Sequence, residues 1–468
     1  MSGVASGGVN VTQRLAQYVV RTTFDDLPQE AVQATKEHLL HTLGTVLAGA
    51  GAAGILLILD LVREWGGCPE STVLVHNLRV PAPNASLVNS AMAHAHEMDE
   101  NDDRIAYKSS VAVIPGALAV AESIGGMSGK AFITAVCLGV DLGIRIGLAA
   151  NPKPTHAHAP TLGPLAAAAA AAKLLGLDER GVFNALGIAY CRVAWSASAT
   201  ASPSLAKRLS AGLAAQGGVF AARLASKGFP AGGDVLRGRT GFFQTFRRQE
   251  GDVETLLSGL GERFEIVYVG PKPYPSCRYT HPAIDATLSI LTDHPFAPEE
   301  VEEIKVWMGQ RDMESVGGVT PEQRRKKQRP EGVVDAQFSI PYTVALTLVK
   351  GRPTPKDFSG EAIRESRVLE IAHRVNPQLD LELERWPLDV KPQVVEIKAK
   401  GEIFQKRVEY PKGNPRNPVP HNELRGMFRE LASYSPKPIS EQRLDEVLNL
   451  LDHLEEVEDV GALVQALT

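Results

Sequence analysis

Two alanine-rich runs in the first half of the chain restrict its fold more than any other feature. Residues 166–172 are seven consecutive alanines, and residues 211–222 are mostly Ala and Gly. Alanine is the strongest helix former. Its small side chain also lets neighbouring helices approach closely, and helices that are apolar on every side are typical of the middle of a helical core. The two runs therefore predict a large helical core with these segments at its centre.

The spacing of apolar residues changes near residue 265. Before this point, apolar residues recur at helical intervals, as in residues 11–20, and Pro28 stands in the first turn of another predicted helix. After it, three segments alternate apolar and polar residues, as half-buried strands do: 264–269, 301–308 and 394–400. Beyond Pro436 the spacing is helical again, at residues 443–450 and 460–467.

This change in spacing predicts a mostly α protein with two domains. A chain of 468 residues is long for one core, and two or three domains are expected on length alone. We assign residues 1–265, completed by residues 436–468, to a large all-α domain. Residues 266–435 are assigned to a smaller α+β domain.

Charge and composition exclude several classes of partner. The net charge is −5, so no overall positive field attracts nucleic acid or an acidic membrane surface. The one basic run, residues 324–329, is short, and a solvated loop is the favoured interpretation. Residues 42–59 carry no charge but are interrupted by four glycines. They predict two buried helices around a glycine turn rather than a membrane span.

The cysteines and the N-terminus indicate the cytoplasm. The four cysteines are widely spaced and form no CxxC pair, which argues against a zinc ribbon or a disulfide framework. The first residues lack the basic start and apolar core of a signal peptide. We therefore expect a soluble cytoplasmic protein that binds neither nucleic acid nor membrane.

Residues 272–285 concentrate reactive side chains. These fourteen residues hold a lysine, an arginine, a cysteine, two tyrosines, a histidine and an aspartate, together with three prolines that stiffen the backbone. An apolar run that opens a helix follows from Ala283. Cations beside a helix N-terminus favour an anion site. A solvated loop leading into a helix explains the composition equally well, and both interpretations stay open here.

An acidic segment lies earlier in the chain. Five of the seven residues 97–103 are Asp or Glu. A solvated acidic loop is the simplest interpretation. Calcium binding is disfavoured because the ligand spacing and the glycine of an EF-hand loop are missing.

Six segments, taken together, resemble the MmgE/PrpD family. The sequence from Asn89 to Glu100 resembles its acidic "AH" motif, and residues 161–177 and 206–217 resemble its Gly/Ala-rich helices. Residues 272–286 are similar to its "YP-x-C-x-x-THPAIDA" signature. The family's "AQFSLPY" and "G-x-P-x-NP" segments have counterparts at residues 335–342 and 413–418. The family includes 2-methylcitrate dehydratase, cis-aconitate decarboxylase and iminodisuccinate epimerase.

The resemblance implies an architecture and a chemistry. It implies a large all-α domain, a smaller α+β lid domain, a homodimer and an active site in the cleft between the domains. It implies neither a metal nor an organic cofactor. The substrates of the family are small di- and tricarboxylates, which undergo elimination, decarboxylation or epimerisation at a carbon beside a carboxylate. Such chemistry needs cations for the carboxylates, a base and an acid.

The resemblance also nominates site residues. The implied catalytic residues are Lys207, Lys272, His158, Asp99 and Lys108. The implied substrate-binding residues are Glu97, Asp102, Thr161, Arg208, Tyr274 and His281. Simpler roles compete for some of them: Lys207 as a capping surface lysine, and His281 as a structural residue that bonds backbone. His156 competes with His158 for the same position, and Cys277 is favoured as a packing residue rather than a nucleophile.

Two positions depart from the family pattern. The family has histidines where this chain has Asp102 and Lys108, and the second of these histidines is a presumed acid/base. A desolvated lysine with a lowered pKa serves as a base, whereas a lysine beside carboxylates stays protonated and binds or donates a proton. The acidity of residues 97–103 favours the second role. An isomerase or an atypical dehydratase is then expected rather than an aconitate decarboxylase.

The leading functional hypothesis is a cofactor-independent hydro-lyase, similar to 2-methylcitrate dehydratase, that acts on a small di- or tricarboxylate. The alternatives are an isomerase, epimerase or decarboxylase of the same family, or a carboxylate-binding relative without catalysis. Paired cations indicate carboxylates but do not identify the rest of the substrate.

Overall fold

The computed structural model describes residues 10–150, 159–194, 204–247 and 250–468. Ten α-helices form its first half. They are α1 (Val11–Arg21), α2 (Gln29–Gly49), α3 (Ile55–Trp65), α4 (Ala82–Ala93), α5 (Ser110–Ile124), α6 (Gly129–Ala149), α7 (Ala159–Leu174), α8 (Glu179–Tyr190), α9 (Ala206–Ser226) and α10 (Val253–Leu257). A short hairpin of β1 (Ser71–Val73) and β2 (Leu78–Val80) lies between α3 and α4.

Helices α7 and α9 lie at the centre of this core, as the alanine-rich runs predict. All seven alanines of residues 166–172 are buried. The two helices approach so closely that larger side chains do not fit between them. A Cβ atom on Gly218 would lie 2.5 Å from Ala167 Cβ, and one on Gly163 would lie 2.9 Å from Ala214 Cβ. Both distances are shorter than real Cβ contacts, so the small residues set the helix spacing.

The second half contains a four-stranded sheet. Its strands are β5 (Val301–Met308), β6 (Val375–Leu379), β7 (Gln393–Ala399) and β8 (Glu402–Val408), in the order β6-β5-β7-β8. The β5–β6 pair is parallel, and the other two pairs are antiparallel. Along β7 buried and half-buried residues alternate, so the predicted strands at 301–308 and 394–400 are confirmed.

The helices of this half pack with the sheet around a second hydrophobic core. They are α11 (His281–Asp293), α12 (Gln310–Asp312), α13 (Pro321–Gln328), α14 (Val333–Gln337), α15 (Ile340–Lys350), α16 (Ser366–Ala372) and α17 (Leu381–Glu384). The basic run, predicted as a loop, lies mostly in α13, which begins after a capping box between Thr320 and Gln323. Most of its charged side chains are exposed, so the run is solvated as expected.

The strand predicted at residues 264–269 is wrong. Residues 265–268 form a 3-10 helix, and only Val269–Gly270 (β4) is extended, where it pairs with β3 (Asn101–Asp102). The reason is that Glu265 is not a solvent-facing residue of a strand. Its side chain is buried and pairs with Arg104 at 2.7 Å, while its backbone N–H donates to Asp141.

The chain returns to the first core earlier than the spacing indicated. The last helices are α18 (His421–Ala432), α19 (Glu441–Asp452) and α20 (Gly461–Ala466). Apolar residues from Val419 onward, including Phe428 of α18, pack in the first core, and Gly44 of α2 lies beside Phe428. The domain limits at 265 and 436 stay a prediction, but the packing places the return near residue 419.

The uncharged stretch 42–59 forms a helix, a turn and a second helix, as predicted, but the second helix is not fully buried. Leu57 and Trp65 of α3 are 73% and 55% exposed. Helix α6 is long and apolar enough to cross a membrane, yet 89% of its most apolar stretch is buried. In the described part of the chain, α6 is therefore a core helix of a globular protein.

Candidate active site

Five charged or titratable side chains form a closed ring between the two halves of the chain. Lys207 pairs with Glu97 Oε1, and Lys272 Nζ lies 3.7 Å from Glu97 Oε2. Lys272 Nζ is also 3.7 Å from Asp99 Oδ1. Asp99 Oδ1 lies 3.1 Å from His94 Nδ1, and His94 Nε2 lies 3.1 Å from Lys207 Nζ. We call these five residues the lysine–carboxylate ring.

The ring is almost sealed from solvent. Lys272 is 0% exposed, Asp99 1%, and Glu97 and His94 3% each. Charged side chains are rarely buried so completely without a function or a full set of partners. Lys272 Nζ and Oδ2 of Asp99 have no hydrogen-bond partner among the described residues. The ring therefore holds unsatisfied donors and acceptors in a nearly dry environment, where a polar ligand would gain most from binding.

Close packing of α4 and α9 brings Lys207 to His94. His94 caps the C-terminus of α4, and Lys207 lies in the first turn of α9. A Cβ atom on Gly212 of α9 would lie 2.4 Å from the Leu87 carbonyl oxygen of α4, so the two backbones are in direct contact. Glu97 follows with φ of 57°, a left-handed conformation that costs about 1 kcal/mol or more for a non-glycine residue. This turn aims its carboxylate at both lysines.

A backbone clamp positions Lys272. Strand β4, just before it, pairs with Asn101–Asp102 of the acidic segment. The turn at Gly413 packs against the other side: its φ is 90°, and a Cβ atom there would lie 1.9 Å from the Pro271 carbonyl oxygen. A Cβ atom on Gly270 would lie 1.5 Å from the Gly413 carbonyl oxygen. Both glycines are therefore required for the approach of these segments.

Asp103 ties the same segments together through side chains. Arg278 donates to both Asp103 oxygens at 2.8 Å, and Asn414 and Asn101 each donate to Asp103 at 2.8 Å. Arg278 also donates to the Lys412 carbonyl at 2.7 Å. A bidentate Arg–carboxylate pair is rigid. The acidic segment is therefore not a solvated loop but a buried junction of three parts of the chain.

The environment sets unusual protonation states. Burial, assisted by the charge of Lys272, lowers the pKa of Lys207 well below its ordinary value. Burial also lowers the pKa of Lys272 to about 8, against the opposing effect of Asp99. Burial and then Lys207 lower the pKa of His94 to about 4. Burial opposes ionisation of Asp99, but Lys272 and His94 outweigh it and lower the pKa of this carboxyl.

These protonation states define the hydrogen positions in the ring. His94 is neutral near pH 7, and its Nε2 accepts when Lys207 donates an N–H to it. The imidazole proton of His94 then lies on Nδ1, which faces Asp99. Lys272, with a pKa of about 8, is able to exchange a proton with a bound molecule at physiological pH.

Acid should destabilise the fold through two histidines. The pKa values of His94 and His96 are both about 4, because of burial first and then of nearby cations. In the unfolded chain they rise to about 6.5. Between these values the unfolded state binds more protons than the folded state. The contribution of the two neutral histidines to the free energy of unfolding is therefore fully present above pH 6.5 and is lost as the pH falls toward 4. Melting temperatures measured from pH 7 to 4 should fall, with a weaker slope in His96→Asn. The exposed His453→Asn serves as control, and an unchanged slope in His96→Asn would contradict the assignment.

The structure brings four of the predicted site residues together: Lys207, Lys272, Glu97 and Asp99. Lys108 lies at the edge of the ring. It is half-buried, has no ion pair within the described chain, and its charge lowers the pKa of both Asp99 and Lys272. His158 and its competitor His156 fall outside the described residues.

The remaining predicted residues have other contacts. Asp102 binds Arg104 at 2.6 Å, and the Tyr274 hydroxyl donates to Asp285 at 2.6 Å. Arg208, beside the ring residue Lys207, donates to the Ala53 carbonyl at 3.0 Å. Thr161 is buried in the first turn of α7. A direct role of these residues in substrate binding stays a prediction.

His281 has the contacts of a structural histidine. Its Nε2 lies 3.3 Å from the Ser276 carbonyl, and its Nδ1 accepts from Arg278 at 3.2 Å. Burial, Arg278 and Lys272 hold its pKa well below the ordinary value. The neutral imidazole of His281 thus has a bonded neighbour at each nitrogen. These contacts are the ones expected if His281 is a structural residue that bonds backbone.

Sequence reasoning missed His94 and Phe338. His94 is the first histidine of Ala93-His-Ala-His96, and its position in the "AH" motif was the signal available. Phe338, in the "AQFS" segment, places its ring 5.4 Å from Lys207 Nζ. Gln337 beside it donates to the His96 carbonyl at 3.2 Å and to the Pro275 carbonyl at 3.1 Å. This segment of the second half thus contacts His96 and Lys207 of the first half, beside the lysine–carboxylate ring.

Cys277 lies near the lysines, and no activating base contacts it among the described residues. It is buried, and burial raises the pKa of its thiol despite the neighbouring cations. It also packs in the second core, which agrees with its predicted packing role. Among the described residues, no three His, Cys, Asp or Glu side chains come together as a set of metal ligands.

Comparison with known proteins assigns the chain to a family. A model of the MmgE/PrpD N-terminal domain matches residues 13–253, and a model of the MmgE/PrpD C-terminal domain matches residues 274–453. The cis-aconitate decarboxylase-like protein oryM of Aspergillus oryzae is 26% identical, over 97% of this chain and 96% of its own. Cis-aconitate decarboxylase of Aspergillus terreus is 24% identical, over 98% and 96% of the two chains. The human cis-aconitate decarboxylase is 25% identical, over 98% and 94%. The two domain models cover most of the sequence, and the chain therefore belongs to the MmgE/PrpD family.

Proposed function

We propose that this protein is a lyase that removes CO2 from a small unsaturated polycarboxylate of the cis-aconitate type. The observation that supports it most is the lysine–carboxylate ring, which keeps two desolvated lysines beside a neutral histidine. Hydration of such groups is largely removed, so their charges act strongly on a bound anion. Decarboxylation takes precedence over the predicted dehydration because the similar proteins are named cis-aconitate decarboxylases.

The ring residues suit the steps of such a reaction. Lys207 and Lys272 hold a substrate carboxylate through their N–H donors. When the C–C bond to a neighbouring carboxylate breaks, CO2 leaves and its bonding electrons remain on the substrate carbon. The negative charge spreads into the carboxylate that the lysines hold, and their positive charges stabilise it. Lys272 then donates a proton to carbon and regains one from water.

Proton transfer to carbon is directly measurable. Purified protein is incubated with cis-aconitate, 2-methylcitrate and citrate in D2O, and the products are followed by proton NMR. The expected result is loss of CO2 from cis-aconitate and one deuterium on carbon in the product. Loss of water from 2-methylcitrate would instead support the hydro-lyase. Deuterium uptake without net turnover would support an isomerase. No reaction and no exchange with any of the acids would contradict the proposal and leave a carboxylate-binding protein.

We also propose that the chain acts in the cytoplasm as a homodimer. All four cysteines are free, which suits a reducing compartment. Helices α3 and α9 expose Leu57, Trp65, Leu213 and Phe220, and isolated surfaces rarely expose so many large apolar side chains. Arg208 of α9 binds the Ala53 carbonyl just before α3, so the two helices begin side by side. Sedimentation analysis of the intact chain tests this proposal.

A further inference from the structure

Of the two lysines in the basic run, Lys326 points outward and Lys327 inward. Lys326 pairs with Glu322 at 3.1 Å, and the two side chains are 71% and 70% exposed. Lys327 is half-buried, and its Nζ donates to the Phe338 carbonyl at 2.6 Å and to the Ser315 carbonyl at 3.0 Å. Lys327 therefore joins α13 to the backbone of two other segments.

The position of Phe338 is fixed from both sides. Next to it, Ser339 Oγ donates to the Lys327 carbonyl at 2.5 Å, so two hydrogen bonds link Lys327 with this segment. The bond from the ammonium to the Phe338 carbonyl is charge-assisted and stronger than a neutral one. On the other side, Gln337 donates to the carbonyls of His96 and Pro275.

Phe338 in turn lies over Lys207. The centroid of its ring is 5.4 Å from Lys207 Nζ, within the range of a cation–π contact. Lys207 is only 6% exposed, although its ammonium pairs with Glu97 in the lysine–carboxylate ring. The contacts thus run from α13 through Lys327 and Phe338 to one of the two ring lysines.

A surface cavity reaches Lys327. It has a volume of about 280 Å³, and it is lined by Lys327 together with residues that include Gln323, Arg329 and Glu331, which are exposed. Burial lowers the pKa of Lys327, so its ammonium is partly removed from water. A desolvated ammonium is costly unless it is hydrogen-bonded, and the two carbonyls supply these bonds.

We propose that Lys327 is a positioning residue that holds Phe338 over Lys207 and thereby keeps water out of the lysine–carboxylate ring. Within the described chain Lys327 contacts no residue of the ring, so it acts through Phe338. Without its ammonium, the Phe338 carbonyl loses its donor, the segment loosens, and water from the cavity hydrates Lys207. This inference rests on the proposed function, since a dry ring strengthens the hold of the lysines on a substrate carboxylate.

Acetylation of Lys207 tests the inference without turnover. The intact protein is treated with trace acetic anhydride at pH values between about 6 and 10, and mass spectrometry gives the rate at Lys207. Only the neutral amine reacts, so the midpoint of the rate against pH reports the pKa and the plateau reports the access of the reagent. The proteins compared are the wild type, Lys327→Met and the matched control Lys326→Met, which changes the exposed neighbour on the same helix.

Lys327→Met should raise the plateau rate of Lys207 about tenfold or more and move the midpoint upward by about one pH unit, because water favours the charged ammonium. Lys326→Met should match the wild type. Wild-type acetylation of Lys207 in a folded Lys327→Met would overturn the inference. If melting temperatures show that Lys327→Met is not folded, Lys327→Gln replaces it, since its shorter side chain cannot bind both carbonyls, and the same two changes are required.

A double-mutant cycle separates this path from a general loosening of the fold. Phe338→Ala should reproduce the effect of Lys327→Met on Lys207, and adding Lys327→Met to Phe338→Ala should change the rate little further. Effects that multiply independently would overturn the inference. If Lys207 becomes accessible as expected but no acid is turned over by the wild type, the proposed decarboxylation fails while the role of Lys327 stands. Turnover of cis-aconitate together with unchanged acetylation in Lys327→Met would have the opposite meaning.

Discussion

Lys272→Met is expected to lower kcat/KM for the accepted carboxylate by about a thousandfold, within the range of a lost general acid together with a lost charge contact. Lys272 is fully buried and touches the carboxylates of Glu97 and Asp99 at 3.7 Å. Methionine has a similar length but neither charge nor proton. Steady-state kinetics on the proposed substrates measure the effect.

The pH profile separates a chemical role of Lys272 from a structural one. Its pKa is about 8. If the protonated form donates to carbon, the rate should fall as the pH rises through 8. Lys272→Arg keeps the charge but not the proton transfer, so it should retain binding and lose this limb of the profile. Lys406→Met, an exposed lysine on β8, serves as control. An activity of Lys272→Met close to that of the control would remove Lys272 from the mechanism.

Arg278→Met is expected to destabilise the protein by about 3–5 kcal/mol, the usual cost of removing one partner of a buried ion pair. Asp103 and Arg278 are each about 3% exposed, and Asp103 would be left buried with two asparagine donors alone. Urea denaturation, followed by circular dichroism, measures the loss. Exposed pairs are worth far less. Arg385→Met, whose pair with Glu382 is on the surface, should therefore change stability by less than about 1 kcal/mol.

The result also reports on the site. Arg278 and Asp103 join the acidic segment, the Lys272 segment and the turn at Gly413, so a folded Arg278→Met should lose activity as well as stability. A variant with wild-type stability would show that the Asp103–Arg278 pair is not what holds these segments together.

The fold was largely predictable because its signals are local. Seven consecutive alanines can hardly be anything but a buried helix, and the alternation in residues 301–308 and 394–400 identifies strands on a sheet with one buried face. The prediction failed at residues 264–269. There the same alternation occurs, but the polar residue Glu265 is buried and pairs with Arg104 and Arg145, which are distant in the sequence. A local pattern cannot distinguish a polar residue in solvent from one with a buried partner.

Within the candidate site, the sequence determined the residue types and the tertiary structure decided their arrangement. The motifs nominated Lys207, Lys272 and Asp99, since lysines and acids in motif positions are visible in the chain itself. That Glu97 bridges both lysines depends on a left-handed turn and on the contact of α4 with α9. The same contact brings His94 into the ring. These are long-range packing events, and so are the pKa shifts, because each shift depends on burial and on charges far away in the sequence. The sequence therefore specified which groups were available, and the packing of the two halves determined which of them share a proton or a charge.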